Sequence, residues 1–231
     1  MKDELIAELE REINPEISES WAPYFGIAPG KYGENDMLIG IKTPVNRQIS
    51  HKYRDLPENE LVEMLHSPVH EFRFSALCIL SECYKKQPER SLKIFLDNID
   101  CVNNWDLVDA FSWKILGKHC LETHDESILH VFAHSDKMWL HRIAVVSYIA
   151  FYRKGVLGDG LEIIKELLGD EEHLIQKACG WMIRTIYVEV DKHVAESFII
   201  DNYSKMSRLT IRAAIERMPE EQRLQFLKGQ F

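Results

Sequence analysis

Residues 141–146 read "HRIAVV", one basic residue inside an apolar frame, and two later stretches of the chain repeat this pattern. The basic residues of the three stretches are spaced by 35 residues: Arg142 in the first, Lys177 in "QKACGW" (176–181) and Arg212 in "IRAAIE" (211–216). Arg73 precedes Arg142 by 69 residues, close to two such periods. A period of this length is typical of proteins built from stacked pairs of helices. The spacing therefore predicts a helical-repeat protein.

Apolar residues recur along the chain at three- and four-residue spacing, the pattern of amphipathic helices. The clearest segments are "HEFRFSALCILSECYKK" (70–86), "WDLVDAFSWKILGKH" (105–119), "WLHRIAVVSYIAFYRK" (139–154), "HLIQKACGWMIRTIY" (173–187) and "LTIRAAIERM" (209–218). Capping or turn residues precede three of them, namely Ser67-Pro68, Ser135-Asp136 and Gly169-Asp170, and Gly155 follows one. No segment alternates with a two-residue period, so no strands are expected. We predict an all-α, HEAT-like helical-repeat solenoid, an α-α superhelix, forming a single domain over residues 1–231.

The chain begins with an acidic segment, predicted to be a helical cap over about residues 1–25, and continues with a Gly/Pro-rich loop over about 26–44. Thr43 and Pro44 form a good N-cap and first-turn pair for the next helix. Two interpretations of the loop remain open. It is a plain surface connector, or it touches a ligand through the cationic and aromatic side chains of Lys31, Tyr32 and Arg47.

The net charge of −9 argues at first against a polyanionic partner, but the charge is unevenly placed. Residues 1–20 contain seven acids and two bases, a sum of −5, which leaves −4 for the other 211 residues. An acidic edge can therefore coexist with a basic groove. The chain has no apolar run long enough to span a membrane, and its start is unlike a signal peptide, so we expect a cytoplasmic protein. We also expect a monomer, because a capped solenoid has no need to assemble.

Neither a metal site nor a cofactor is predicted. The five cysteines include no C-x-x-C pair, which indicates neither a disulfide framework nor a zinc knuckle, and we expect them to be reduced and mostly packed. His130 and His134 stand four residues apart, as metal ligands on a helix can, but no third and fourth ligand follow at a convincing spacing. Solvated helix histidines are the favoured interpretation.

The periodic bases have two interpretations that the pattern alone does not separate. Equivalent positions of successive repeats line one surface of a solenoid, so Arg73, Arg142, Lys177 and Arg212 could form a ladder of positive charge for a phosphate backbone. Alternatively, each base extends along an apolar surface or pairs with an acid between repeats.

One repeat carries acids where its neighbours carry bases. Residues 103–111 read "NNWDLVDAF", and one period back from Arg142 falls on Leu107, which Asp106 and Asp109 flank. Trp105 and Asp109, four residues apart, project from the same side of a helix. An indole face beside a carboxylate is a receptor for a cation, such as an alkylated purine, and a carboxylate can stabilise the oxocarbenium character that builds up on the sugar. The alternative is that Trp105 is core and that the acids cap the helix or lie on its surface.

These motifs resemble the AlkD family of bacterial DNA alkylation repair glycosylases, which are built from HEAT-like repeats. The resemblance spans "GENDMLIGIKTPVNR" (33–47), "NNWDLVD" (103–109), "WLHRIAVVS" (139–147), "LIQKACGWMIR" (174–184) and "LTIRAAIERM" (209–218). It implies a monofunctional glycosylase that removes cationic N3- and N7-alkylated purines from duplex DNA without a metal and without base flipping. This reaction belongs to base excision repair.

The resemblance also implies roles for individual residues. Asp109 matches the catalytic carboxylate, Trp105 and Trp181 match aromatic residues beside the lesion, and Arg142 matches a basic residue that contacts DNA there. The remaining predicted DNA contacts are Arg73, Lys177, Arg184, Arg212, Lys31 and Arg47. His141 departs from the pattern, because an arginine is common at this position in the family.

Two other functions remain open at the level of sequence. Members of the wider superfamily include non-catalytic DNA-binding proteins, so a HEAT-like module that binds distorted or branched DNA is the main alternative. The acidic balance leaves room for a protein-binding scaffold, since helical solenoids commonly bind proteins.

Overall fold

The computed structural model describes residues 1–231, which divide into two compact units, Met1–Phe111 and Ser112–Phe231. The helices up to the boundary are α1 (Lys2–Glu10), α2 (Pro15–Trp21), α3 (Thr43–Lys52), α4 (Glu58–Leu65), α5 (His70–Cys83), α6 (Pro88–Asp97) and α7 (Trp105–Ser112). Those that follow are α8 (Lys118–Thr123), α9 (Ser127–Ala133), α10 (Met138–Ser147), α11 (Ile149–Tyr152), α12 (Gly160–Leu167), α13 (His173–Glu189), α14 (Lys192–Asn202), α15 (Arg208–Ala214) and α16 (Glu220–Lys228). Each unit has its own packed interior, so the single domain predicted for residues 1–231 stays a prediction.

Irregular elements are short and no strand is formed. Residues Ile99–Cys101 and Tyr203–Lys205 form 3₁₀ turns, and Trp113–Gly117 form a π-helical turn. A single isolated bridge joins Met37 to Val69. None of the helices combines the length and the apolar character needed to cross a lipid bilayer.

Five helices begin at nearly equal intervals along the chain. Their first residues are His70, Trp105, Met138, His173 and Arg208, so the successive intervals are 35, 33, 35 and 35 residues. Another α-helix precedes each one. Three of these preceding helices pack on the helix that follows, in the pairs α4 with α5, α9 with α10 and α12 with α13. The predicted all-α helical-repeat fold is confirmed.

Local hydrogen bonds explain where three of these helices begin. The Ser67 hydroxyl accepts from the Val69 amide at 3.1 Å, and the Ser135 hydroxyl accepts from the Lys137 amide at 3.0 Å. An Asp170 carboxylate oxygen accepts from the Glu172 amide at 2.8 Å. Each helix starts three residues after the accepting side chain, because a serine or aspartate that binds an amide two residues on forms a turn that leads into the first helical turn.

The predicted N-cap at Thr43 is wrong by one residue. Helix α3 begins at Thr43, its N-cap is Lys42, and no side chain caps it. Pro44 occupies the first turn as predicted, since its missing amide proton costs nothing there. The loop over 26–44 therefore ends at Lys42.

In the first unit, a buried carboxylate joins the end of that loop to α5. Glu71, 4% exposed, accepts backbone hydrogen bonds from Ile39, Gly40 and Ile41 at 3.1, 2.7 and 3.3 Å. Gly40 has φ +81°, and any side chain there would collide with the carbonyl oxygen of Asn14. Helix α3 is consequently held against α5 in one register.

In the second unit, apolar and small side chains allow helices to approach closely. Ile143 and the three residues after it in α10 are fully buried, as are Cys179 and Met182 in α13. Gly180 lies against α15, where an added Cβ would collide with the Thr210 carbonyl oxygen and lie 2.6 Å from the Ala213 Cβ. The close packing of α13 against α15 therefore depends on a residue without a side chain at position 180.

Candidate functional site

An open cleft of about 540 Å³ lies in the first unit. Its lining residues come from the end of α2 and the turn after it, from α3, from α5 and from the first turns of α7: Trp21, Tyr24, Phe25, Thr43, Arg47, Phe74, Trp105, Asp106, Asp109 and Ala110. The cleft brings together Trp105, Asp109 and Arg47, three of the residues singled out in the sequence. Aromatic rings form most of its walls, and Asp106 and Asp109 are the acids among its lining residues.

Trp105 is fixed from several directions. Its indole Nε1 donates to the carbonyl oxygen of Tyr24 at 3.0 Å, and its ring centroid lies 5.3 Å from that of Phe25. Its backbone amide donates to the side chain of Asn104 at 2.9 Å, and Asn104 also donates to the Phe25 carbonyl oxygen at 3.1 Å. The fully buried Asn104 thus joins the start of α7 to the turn after α2. The indole cannot rotate without breaking its hydrogen bond to Tyr24.

Asp106 is held by a buried histidine. The Nε2 atom of His70 lies 2.9 Å from an Asp106 carboxylate oxygen, and its Nδ1 lies 3.4 Å from Asp36. Burial alone lowers the pKa of His70, but the hydrogen bonds to Asp106 and Asp36 outweigh burial and raise the pKa to about 9. His70 is therefore an imidazolium at neutral pH.

Arg73 completes this cluster, and its position contradicts the sequence prediction. The side chain is buried, 4% exposed, and its guanidinium lies 2.5 Å from the Asp36 carboxylate. It also donates to the Ser67 carbonyl oxygen at 2.9 Å and to Asn103 at 3.1 Å. A guanidinium with these internal acceptors does not line a phosphate-binding surface, so the predicted ladder loses its first member.

Arg47 and Lys31 differ in their relation to the cleft. Arg47 is exposed, lines the cleft and lies with its guanidinium carbon 5.7 Å from the Phe74 ring centroid, a cation–π contact. Lys31 is exposed in the preceding loop but is absent from the lining. Tyr32 donates to the Tyr24 carbonyl oxygen at 2.9 Å, the same oxygen that accepts from Trp105. Through Tyr32 the loop therefore contacts Tyr24, a residue of the cleft wall.

Comparison with known proteins gives a family. The model of the family described as DNA alkylation repair enzyme matches residues 5–218. The chain belongs to this family. A solved structure titled "Predicted DNA alkylation repair enzyme from Enterococcus faecalis" is similar, with a TM-score of 0.70 and 18% identity over 90% of this chain and 98% of that one. At this identity the similarity supports the fold alone. No curated protein matches the chain.

The family match covers the second unit, where the other predicted site residues lie. Arg142 is only 5% exposed, and its guanidinium donates to the Leu174 carbonyl oxygen. This burial contradicts its place in an open ladder of bases. Lys177 and Arg212 are exposed, and Arg184 forms an ion pair with Glu216.

Trp181 and the histidines of this unit are also placed by the structure. Trp181 is half-buried in α13, and its carbonyl oxygen accepts from Thr185 at 2.9 Å. His141, the departure from the family pattern, lies 2.8 Å from the Asp170 carboxylate. His130 lies 3.0 Å from Asp159, and His134 contacts the His130 carbonyl oxygen at 2.8 Å. These histidines therefore have acceptors within the protein.

The aromatic wall that the end of α2 and the turn after it contribute was not predicted from the sequence. Trp21, Tyr24 and Phe25 stand within five residues in "WAPYF" (21–25), and Tyr24 is 72% exposed. Three aromatic residues so close together at the end of an acidic helix are a sequence pattern that could have indicated this wall. His70 gave no such signal, because only the fold brings it to Asp106, 36 residues away.

Proposed function

We propose that the protein is a DNA glycosylase that excises cationic N3- and N7-alkylated purines from duplex DNA. One observation carries the proposal: Trp105 and Asp109 line the same aromatic-walled cleft. An indole face attracts a cation through its quadrupole, and a carboxylate attracts it through charge. A purine that is both aromatic and positively charged matches both features, whereas a neutral purine matches only the stacking.

The chemistry needs little beyond charge placement. When the glycosidic bond of an alkylated purine breaks, its electron pair moves to the base nitrogen and neutralises the positive charge of the base. The leaving base therefore needs no proton from an acid. The sugar becomes an oxocarbenium ion, which the Asp109 carboxylate stabilises. A water molecule adds to C1′ of this ion and passes its extra proton to solvent water. This route uses neither a metal nor a second catalytic acid.

The other residues are proposed to bind DNA around this step. Arg47, at the cleft, is suited to a phosphate, because a guanidinium binds phosphate with paired hydrogen bonds. The exposed Lys31, Lys177 and Arg212 are proposed to contact the DNA backbone. For Trp181 and Arg184 the proposed contacts with DNA rest on the motif alone. Arg142 is buried and is not proposed to contact DNA.

The decisive experiment is Asp109→Asn in a single-turnover assay of free-base release from a duplex containing 7-methylguanine. We expect the rate to fall by about 10²–10³-fold, because the amide keeps the shape and loses the charge. Binding to the duplex, measured by fluorescence anisotropy, should persist. The exposed Asp55→Asn is the matched control and should release base at the wild-type rate. Equal release by wild type and Asp109→Asn would remove Asp109 from the mechanism.

A non-catalytic module that binds distorted DNA is the second candidate. The exposed bases Lys177 and Arg212 favour it, because they occupy equivalent positions on the packed helices α13 and α15. This function predicts binding that weakens steeply with salt and no released base at any excess of protein. The same release assay separates the two candidates.

A further inference from the structure

His70 is one buried side chain that several walls of the cleft share. It is 2% exposed, and its two ring nitrogens face Asp106 in α7 and Asp36 in the loop before α3. The Phe25 ring meets it edge to face, with centroids 5.0 Å apart and an interplanar angle of 77°. Phe25 in turn packs against Trp105. His70 therefore contacts Asp106 and Phe25 directly and Trp105 through Phe25, and these three residues line the cleft.

The contacts of His70 favour its charged form. Both ring nitrogens face carboxylate oxygens, at 2.9 and 3.4 Å, and a neutral imidazole has only one N–H to donate. The Arg73 guanidinium lies 3.5 Å from the same Nδ1 that faces Asp36. The charged groups around it are Asp36, Asp106 and Arg73, so with the imidazolium the cluster contains two negative and two positive charges. A balanced cluster of this kind can be buried, but it leaves an uncompensated charge when any member is removed.

The charge balance of this cluster affects the cleft, because its member Asp106 lines the cleft. Asp109, three residues later on the same helix, lines the cleft as well. His70 holds the Asp106 carboxylate and neutralises its charge. Asp109 is the other acid of the lining. Without His70, the Asp106 carboxylate would lose this partner three residues from Asp109, and the first turn of α7 would lose its contact with α5.

We propose that His70 is a positioning residue for base release, which holds Asp106 in the first turn of α7 and thereby fixes the Trp105 indole and the Asp109 carboxylate toward the lesion. This inference rests on the proposed glycosylase function. His70 does not touch the reacting atoms in this scheme. It acts through Asp106 and through the aromatic pair of Phe25 and Trp105.

The test compares His70→Gln, Asp106→Asn and the double variant His70→Gln/Asp106→Asn in single-turnover release of 7-methylguanine at neutral pH. Each single variant should slow release by about tenfold or more with unchanged duplex affinity, because small misplacements of catalytic groups have effects of this size. The double variant should recover most of the loss, since two amides can form a hydrogen bond without leaving a charge uncompensated. His51→Gln, which removes an exposed pair with Glu82, is the control and should leave the rate unchanged.

A second measurement does not depend on activity. In the NMR spectrum, the Cε1–H signal of His70 should titrate with a midpoint near pH 9, and Asp106→Asn should move that midpoint down.

The role of His70 would be overturned by release within about twofold of the wild-type rate in both single variants, or by no recovery in the double variant. A midpoint near the ordinary histidine value would overturn the charged cluster. If His70→Gln fails to fold, the half-exposed Asp106→Asn tests the same contact. Absence of release by the wild type would instead overturn the proposed function itself.

Discussion

The two units fill their interiors by different means. Four charged side chains, Asp36, His70, Glu71 and Arg73, are buried in Met1–Phe111, whereas Arg142 is the charged side chain buried in Ser112–Phe231. The net charges differ as well. The first unit has 12 bases and 20 acids, a sum of −8, and the second has 16 bases and 17 acids, a sum of −1.

This difference shows that stacked repeat helices and a functional site have different requirements for their buried residues. Stacked helices require apolar faces and, at close approaches, small residues such as Gly180. A site requires polar groups held in one geometry, and buried charge pairs hold them at a cost in desolvation. The unit with the cleft therefore contains the charged interior.

Loss of one buried charge should give the largest effect on stability. Arg73→Met keeps the aliphatic stem but leaves Asp36 without its guanidinium, so we expect a loss of about 3–5 kcal/mol in the free energy of unfolding. Urea denaturation measures this loss. The control is Arg90→Met, which breaks an exposed pair with Glu58 and should cost about 1 kcal/mol or less. If the two variants lost similar amounts of stability, the buried pair would contribute no more to the first unit than an exposed pair does.

The second-largest effect is expected from alkaline pH, which should lower the stability of the first unit. Because the pKa of His70 is raised from 6.5 to about 9 in the folded state, its contribution is fully present below pH 6.5 and is lost as the pH rises through about 9. The loss is up to about 3 kcal/mol. Amide hydrogen exchange of α5 and α7 across this range would measure it. In His70→Gln the dependence should flatten, and an unchanged dependence would exclude His70 as its source.

A smaller loss is expected from crowding in the second unit. Gly180→Ala places a methyl group against Thr210 and Ala213, and we expect a destabilisation of about 1–3 kcal/mol with no change in its dependence on pH. Thermal unfolding measures the effect. Gly169→Ala is the matched control, because nothing lies within 4 Å of an added Cβ there, and its melting temperature should stay close to that of wild type. If the two substitutions behaved alike, the close approach of α13 and α15 would not limit packing.

The repeat could be predicted from the sequence because its signal is local. Helix α13 begins at His173 and α7 at Trp105, the first residues of the apolar segments at 173–187 and 105–119. The predicted DNA contact of Arg73 does not agree with the structure, because the contacts of Arg73 are distant along the chain. Periodicity places Arg73 on a helix face, but whether that face is covered depends on Asp36, 37 residues earlier.

The cleft shows the same limit. The pairing of Trp105 with Asp109 follows from helical spacing and was predicted, and the structure places both residues at the cleft. The opposite wall was not predicted, because Phe25 meets α7 through Asn104, 79 residues later in the sequence. Spacing identifies residues that share one helix, and it carries no information on which distant turn will face them.

The Glu71 carboxylate, which accepts the three amides of residues 39–41, has a consequence for how the chain can vary in length. An added or deleted residue at Gly40 would shift α3 out of register with α5, so this end of the loop tolerates no change in length. Gly30 is different, because it is exposed and has open space around it. Gly30 itself has φ +74°, which favours glycine, so the residue should be kept. A peptide tag or a natural insertion is best accommodated next to it, about ten residues from the anchored end.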